Sequence, residues 1–281
     1  MFKRLFRRPR PGSPATPTVN GAPPRLPRGV RVYAVGDVHG RLDLLRQLEQ
    51  QILADADEAA TGRRLERIVV YMGDYVDRGF ESRQVIEHLL REPLPGFASV
   101  HLLGNHEVWM RDFLRGGARD GGADVAGSWL RFGGDATLVS YGGKLDMRLP
   151  EPERHEEAQA DLRARLPDEH ATFLHHLELG FGLGDYFFCH AGVRPEVPLD
   201  RQADSDLLWI REPFLSWGGD PGKVVVHGHT VEEHPVVRPN RIGIDTGACW
   251  TNNLTCVVLE GESWRFLSTL PGKAPSATSA F

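Results

Sequence analysis

Asp37, His39, Asp74, Asn105, His190 and His229 offer carboxylates, imidazoles and one neutral amide oxygen, and most of them sit in short glycine-bounded segments. The segments are Gly36-Asp37-Val38-His39-Gly40, Gly73-Asp74-Tyr75-Val76-Asp77-Arg78-Gly79, Gly104-Asn105-His106-Glu107 and Gly228-His229. This is a donor mixture for two adjacent divalent ions. A pair of such ions about 3.5 to 4 Å apart can neutralise the oxygens of a phosphoryl group, generate hydroxide at neutral pH and hold it in line with a leaving group. A carboxylate reaching both ions, completed by imidazoles and one neutral oxygen, keeps the net charge low enough to admit a phosphate dianion. The chemistry expected is metal-dependent hydrolysis of a phosphoester.

Hard and borderline donors without a thiolate favour Mn, Fe or Zn over copper, and the histidines argue against Mg or Ca alone. His106 lies beside a donor but points elsewhere, so it is a candidate general acid for a leaving alkoxide, oriented and kept cationic by a carboxylate such as Asp77. Arg78 and Arg211 are expected to clamp phosphate. His227 should alternate away from His229, and His101, His175 and His176 are read as structural or surface residues. Trp129, Trp209, Trp217 and Trp250 receive no assignment.

Elements must bring these groups together. Val30 to Val35, Arg67 to Met72, Ser99 to Leu103 and Lys223 to Val226 are short apolar or β-branched runs that read as buried strands. Ligand sites of open α/β sheets collect where such strands end. Leu42, Leu45, Leu48 and Ile52 recur at helical spacing after the first run; Val85, Ile86, Leu89 and Leu90 follow the second, and Val108, Trp109, Phe113 and Leu114 the third, ending near Gly116. Three strand-to-helix units in a row predict parallel strands with crossover helices. Gly116 to Gly143 is glycine-rich and is expected to form an irregular cap or lid. Helices are expected over Glu151 to Leu166 and Asp168 to Leu177, then a hairpin of Leu177 to Leu183 with Asp185 to Cys189. The final third, through Arg241 to Thr246, Leu254 to Glu260 and Ser263 to Leu267, predicts a second sheet. The fold class expected is α/β, with two mixed sheets packed face to face and helices outside.

The three glycine-bounded motifs, in this order and spacing, resemble the signatures of the phosphoprotein phosphatase family of calcineurin-like metallophosphoesterases, bacterial serine/threonine type. Phe188-Cys189-His190-Ala191-Gly192 and His227-Gly228-His229-Thr230 resemble its two later histidine motifs, and the resemblance runs from Val30 to Leu267. It implies Asp37, His39 and a bridging Asp74 on one metal, and Asp74, Asn105, His190 and His229 on the other. It also implies His106 paired with Asp77 as the acid, and Arg78 on phosphate. Leu207-Leu208-Trp209-Ile210-Arg211 is similar to a segment of bacterial and phage members in which the arginine binds phosphate. Asp77 before Arg78 favours a serine/threonine protein phosphatase; the alternative is a symmetrical diadenosine tetraphosphate hydrolase, a sister family that typically reads Val-Ala-Arg-Gly there. Eukaryotic members carry a tyrosine near the position of Ala248-Cys249 and a Gly-Pro where this chain has Gly79-Phe80. The chain also lacks the longer C-terminal loops on which those enzymes dock regulatory subunits, so partners of that kind are not expected.

Composition bounds the rest. The 281 residues are 41% hydrophobic and 25% charged, ordinary for a globular chain. Residues 1–28 are basic, proline-broken and without acidic groups, and are expected to be disordered, as are 271–281; the catalytic domain is expected over 29–270. Setting aside the tail's Lys3, Arg4, Arg7, Arg8, Arg10, Arg25 and Arg28 leaves 26 basic residues against 38 acidic. A body with a formal charge of −12 is unsuited to nonspecific nucleic-acid binding. No apolar stretch of about 20 residues is present, nor a secretory h-region, so stable membrane insertion is not expected and a cytoplasmic location is. Cys189, Cys249 and Cys256 are expected as reduced core thiols in strands.

Overall fold

A strand that is covered on both faces must be apolar throughout, and Val30–Val35, β1, is buried at all six positions. Val30, Val32 and Ala34 point to one side, Tyr33 and Val35 to the other. The computed structural model describes residues 16–59, 65–116 and 125–270. β1 is the middle of a five-stranded sheet. On one side it pairs in parallel with β2 (Glu66–Tyr71), which pairs in parallel with β3 (Ala98–His101). The connections are the crossover helices α1 (Leu42–Ala59) and α2 (Ser82–Arg91), and α3 (Asn105–Arg115) follows β3. Leu45, Leu48 and Ile52 of α1 and Val85, Ile86 and Leu89 of α2 are buried against the sheet, each such side chain contributing about 1.5–3 kcal/mol.

α3 ends at Gly116, which closes the helix in the left-handed conformation. Residues 117–124 of the expected lid lie outside the described residues. The remainder of that segment is mostly helical: α4 (Val125–Trp129) and α5 (Asp135–Ser140), with a kink at Gly133, φ 110°, in the turn between them. The irregular cap is corrected to a packed helical support, anchored by fully buried Trp129 and Leu138. α6 (Glu151–Arg165) and α7 (Asp168–His175) follow as expected.

The second sheet runs β4 (Gly180–Leu183), β5 (Tyr186–Cys189), β6 (Val224–His227), β8 (Arg241–Gly243) and β7 (Val236–Arg238) in spatial order. Its pairings are antiparallel at both edges and parallel at β5–β6 and β6–β8. Tyr186, Phe188, Val224, Val226, Ile242 and Ile244 meet Val32, Ala34, Val70, Met72 and Val257 of the first sheet in one core. Its outer face packs on Phe214, Leu207 and Ile210, the latter two from in and just after α8 (Asp204–Trp209).

Two expectations about the ends are corrected. β9 (Thr255–Glu260) and β10 (Ser263–Ser268) belong to the first sheet, where β9 runs antiparallel beside β1, matching Val35 with Cys256. Residues 1–15 lie outside the described residues, as do 271–281, but 16–28 lie along the body: Leu26 is buried, its N–H donates to Gly261, and Thr18 N–H donates to Pro239. Cys189 and Cys256 are buried strand thiols, whereas Cys249 is half-buried in the short helix α9 (Ala248–Thr251). Among the described residues no helix is long and apolar enough to cross a membrane.

Candidate metal centre

Every donor stands just past the end of a strand or at the start of the helix that follows. Asp37 and His39 follow β1, Asp74 follows β2, Asn105 opens α3, His190 follows β5 directly and His229 lies two residues after β6. The strands of the two sheets are covered by each other and by helices, so their polar exits converge at one edge of the sandwich. Asp37, His39, Asp74, Asn105, His190 and His229 are all buried there.

The exits are tight. His39 (φ 46°), Asp74 (51°), Asp77 (73°), Arg78 (70°) and His229 (63°) adopt the left-handed region, which costs about 1–2 kcal/mol for each non-glycine residue. Strain of this kind persists only where surrounding bonds over-determine it. Glu107 supplies them for the Asp74 loop. Its carboxylate accepts the N–H groups of Asp74 at 2.9 Å, Tyr75 at 2.8 Å, Val76 at 3.1 Å and Gly104 at 3.0 Å. Burial pushes the Glu107 carboxyl up to about 7. At Gly228 a Cβ would stand 2.0 Å from Asp37 Oδ1, so only glycine lets the His229 loop pass the carboxylate.

Backbone carbonyls aim the imidazoles. Nδ1 of His39 donates to Val76 O at 2.8 Å and Nδ1 of His190 to Met72 O at 2.9 Å. Both rings therefore present Nε2 inward, as an imidazole ligand needs. His39 Nε2 lies 3.4 Å from Asp74 Oδ2, and His190 Nε2 lies 3.3 Å from Asp74 Oδ1 and 2.9 Å from Asn105 Oδ1. Two groups of potential ligand atoms, each within 4.8 Å of one another, result: His39, Asp74 and His106, and Asp74, His190 and His229. Asp74 is common to both. Asp37 stands beside them, one oxygen accepting His229 N–H at 3.0 Å.

Whether this set suits divalent cations is decided by its unmet needs. Asp37 Oδ1 and His229 Nε2 are buried without a hydrogen-bond partner, and buried polar atoms rarely go unpaired. Burial opposes protonation of His190, yet Asp74 and Asp37 hold it at about 10; cationic His190 and His106 in turn hold Asp74 well below the usual carboxylate range against burial. Burial and then Asp245 push Asp37 well above that range. Protons on imidazoles and the Arg78 guanidinium thus supply positive charge that the carboxylates require. The donors fit a pair of divalent cations.

His106 faces Asp74 with Nε2, 3.9 Å from its Oδ2, and Asp77 with the other nitrogen. Its Nδ1 lies 2.6 Å from Asp77 Oδ2. Asp77 has no exposure and also accepts from Trp129 Nε1 at 3.0 Å and Thr137 Oγ1 at 2.7 Å. Burial pushes both groups away from charge, but Asp74 and Asp77 overcome it and raise the His106 pKa, while the three hydrogen bonds favour Asp77 as the anion despite its upward push from burial. The loop is braced from behind, Arg78 N–H donating to Gly133 O at 3.0 Å; Gly133 has φ 110° and a Cβ there would stand 2.6 Å from Arg78 N.

The Arg78 guanidinium lies at the mouth, against His39 Nε2, 3.0 Å from His106 Nε2 and 4.7 Å over the Trp250 ring. Arg211 is exposed at the rim, its Nη2 donating to His229 O at 3.3 Å. Trp209 packs near His229, and Trp109 meets the His106 ring with Phe132 stacked on its other side. His227 is outside both ligand groups; its Nδ1 donates to Gly228 O at 3.1 Å and its ring packs on Phe214. His101 stacks on Tyr71 in the core.

Trp129, Thr137 and Asp245 escaped the reading of the sequence. Asp245 had a legible signal, since Ile242-Gly243-Ile244-Asp245 repeats the apolar-run-then-aspartate pattern of Val35-Gly36-Asp37. Trp129 and Thr137 had none, because they meet Asp77 only through tertiary packing.

Residues 30–233 match the model of a family described as calcineurin-like phosphoesterase. Among solved structures, a crystal structure of a "putative diadenosine tetraphosphatase" superposes with TM-score 0.55 at 22% identity, covering 88% of this chain and 100% of that one. A mutant of a cold-active protein tyrosine phosphatase gives TM-score 0.52 at 19% identity, with 88% and 81% covered. A further structure of a cold-active protein tyrosine phosphatase gives 0.51 at 18%, with 86% and 78% covered. These likenesses are of fold. No curated protein matches the chain.

Proposed function

The chain belongs to the calcineurin-like phosphoesterase family, a family of metal-dependent hydrolases with a dinuclear centre, and from there we propose that it is a serine/threonine protein phosphatase. Asp37, His39 and Asp74 would hold one divalent ion, and Asp74, Asn105, His190 and His229 the other, with Mn the metal we assign. When bound, the ions supply Lewis-acid charge and lower the pKa of water into the neutral range. Arg78 and Arg211 bind and orient the phosphoryl oxygens from the mouth of the site.

The observation that carries the substrate class is the His106–Asp77 pair at 2.6 Å. A phosphoserine or phosphothreonine ester leaves as an alkoxide, a strong base that must be protonated as the P–O bond breaks. Once Arg78 turns from His106 Nε2 to the phosphoryl oxygens, His106 would carry that proton at Nε2, and Asp77, clamped by Trp129 and Thr137, fixes the ring and stabilises its cationic form. A nucleotide anhydride leaves as a weakly basic phosphate and gains little from such an acid.

Hydrolysis of a diadenosine tetraphosphate is the second reading. The rings at the mouth favour it: Trp250 is 60% exposed and Phe132 52% exposed, and exposed aromatic faces stack on nucleobases. The Mn-loaded chain is assayed on a phosphothreonine peptide and on diadenosine tetraphosphate. A kcat/KM at least about 10-fold higher on the peptide is expected, an excess of 1.4 kcal/mol or so in transition-state binding. Preference for the dinucleotide overturns the assignment to protein phosphatase in favour of the second reading.

A further inference from the structure

Asp245 is a buried carboxylate with unmet demands, at the same edge of the sandwich as the donors. It is 3% exposed; Gly247 N–H donates to its Oδ1 at 2.9 Å, and its Oδ2 has no partner. Its position follows from strand register. Ile244 N–H donates to His227 O at 2.9 Å, and Gly36 packs so closely on Ile244 that a Cβ there would stand 2.6 Å from Ile244 O. The exits of β1, β6 and β8 therefore abut, and Asp245 emerges beside Asp37. Two neighbouring carboxylates, Asp37 and Asp245, each keep one buried oxygen unpartnered. Such an arrangement is costly without positive charge to meet it.

We propose that Asp245 is a further anionic group of the metal centre, its free oxygen meeting the cation held on the Asp37 side and tightening the cage on divalent ions. The inference rests on the dinuclear reading above and deepens it. The charge count gives it a consequence. Two divalent ions against Asp37 and Asp74 leave a net +2, whereas counting Asp245 leaves +1, so the group trades phosphate attraction for metal retention. Removing its charge should weaken metal binding and strengthen phosphate binding, opposite signs that a merely structural role would not produce.

The test uses the full chain, stripped of metal, as wild type, Asp245→Asn and Asp245→Ser, with folding followed by circular dichroism and thermal unfolding. Asp245→Asn retains an acceptor for Gly247 N–H; Asp245→Ser serves if the amide misfolds. Mn²⁺ titration by calorimetry should give a Kd weakened by about 10- to 100-fold, together with an apo form no less stable than wild type. At saturating Mn²⁺, inorganic phosphate should inhibit or bind the variants more tightly than wild type. Normal Mn²⁺ uptake by wild type with variant Kd values within twofold of it overturns the role of Asp245 alone. A wild-type chain that takes up no divalent ion overturns the dinuclear reading and this inference with it.

Discussion

His106 and Asp77 come within 2.6 Å of each other across loops that the chain separates by 29 positions, and the carboxylate that receives the imidazole has no exposure to solvent. An ion pair made in such surroundings is directional, because Trp129 and Thr137 already occupy the other lone pairs of Asp77. His106→Asn should lower kcat on a phosphopeptide by about 100-fold or more while metal content, measured by mass spectrometry, is retained. Asp77→Asn should lower it by roughly 10- to 100-fold, the ring being left without its anionic partner. Unchanged turnover in His106→Asn removes it as the proton donor.

The guanidinium of Arg78 sits against His39 Nε2, the atom that faces Asp74. Loading with Mn²⁺ should expel it from that contact toward the mouth and disturb the Trp250 ring beneath it. Tryptophan fluorescence should then change on Mn²⁺ addition, and the Trp250→Phe chain should lose most of that change. Arg78→Lys should raise the KM for phosphopeptide about 10-fold, since a point charge cannot replace a bidentate fork. An identical emission response in Trp250→Phe contradicts the movement.

Four buried N–H groups depend on Glu107. Glu107→Ala leaves those donors without an acceptor and should destabilise the chain by roughly 3–5 kcal/mol. Urea unfolding measures it. A loss under about 1 kcal/mol would mean that water replaces the carboxylate.

Stability should also depend on pH through His88, away from the metal centre. His88 Nε2 lies 2.6 Å from Glu49 Oε2, and Tyr71 Oη donates to Glu49 Oε1 at 2.7 Å. The hydrogen bond that His88 donates to the Glu49 carboxylate raises the His88 pKa against burial. The folded chain therefore holds this proton more tightly than the unfolded chain, so the contribution is complete below the unfolded value of about 6.5 and is lost as pH rises through the raised folded value. The unfolding free energy of wild type should fall across that window, and His88→Gln should flatten the fall. A slope equal in both proteins excludes the pair as its source.

Legibility in the sequence followed the range of the forces involved. β1 was readable to the residue because every side chain of Val30–Val35 is buried and apolar, and α1 to α3 because their buried faces recur at helical spacing. The candidate donors other than His190 stood out because each lies beside a glycine at a strand exit, and the fold gathers all six at one edge. α4 and the kink after it were not: Val125-Ala126-Gly127-Ser128-Trp129 has weak helix propensity, and packing of Trp129 under Asp77 fixes it. β9 and β10 were readable as strands, but their place beside β1 was not, since register over such a distance is set by which faces remain uncovered once the parallel units have formed.

That antiparallel seam between Val35 and Cys256 has a bearing on synthesis. β1 keeps one flank bare until β9 has been made, so the turn carrying Asp37 and His39 should lack its full support in any chain shorter than that. Nascent chains arrested before Thr255 should be cut by protease near β1, and released full-length chains should resist. Protection of β1 that is already complete in the arrested chain would mean that the parallel pairing with β2 suffices to hold it.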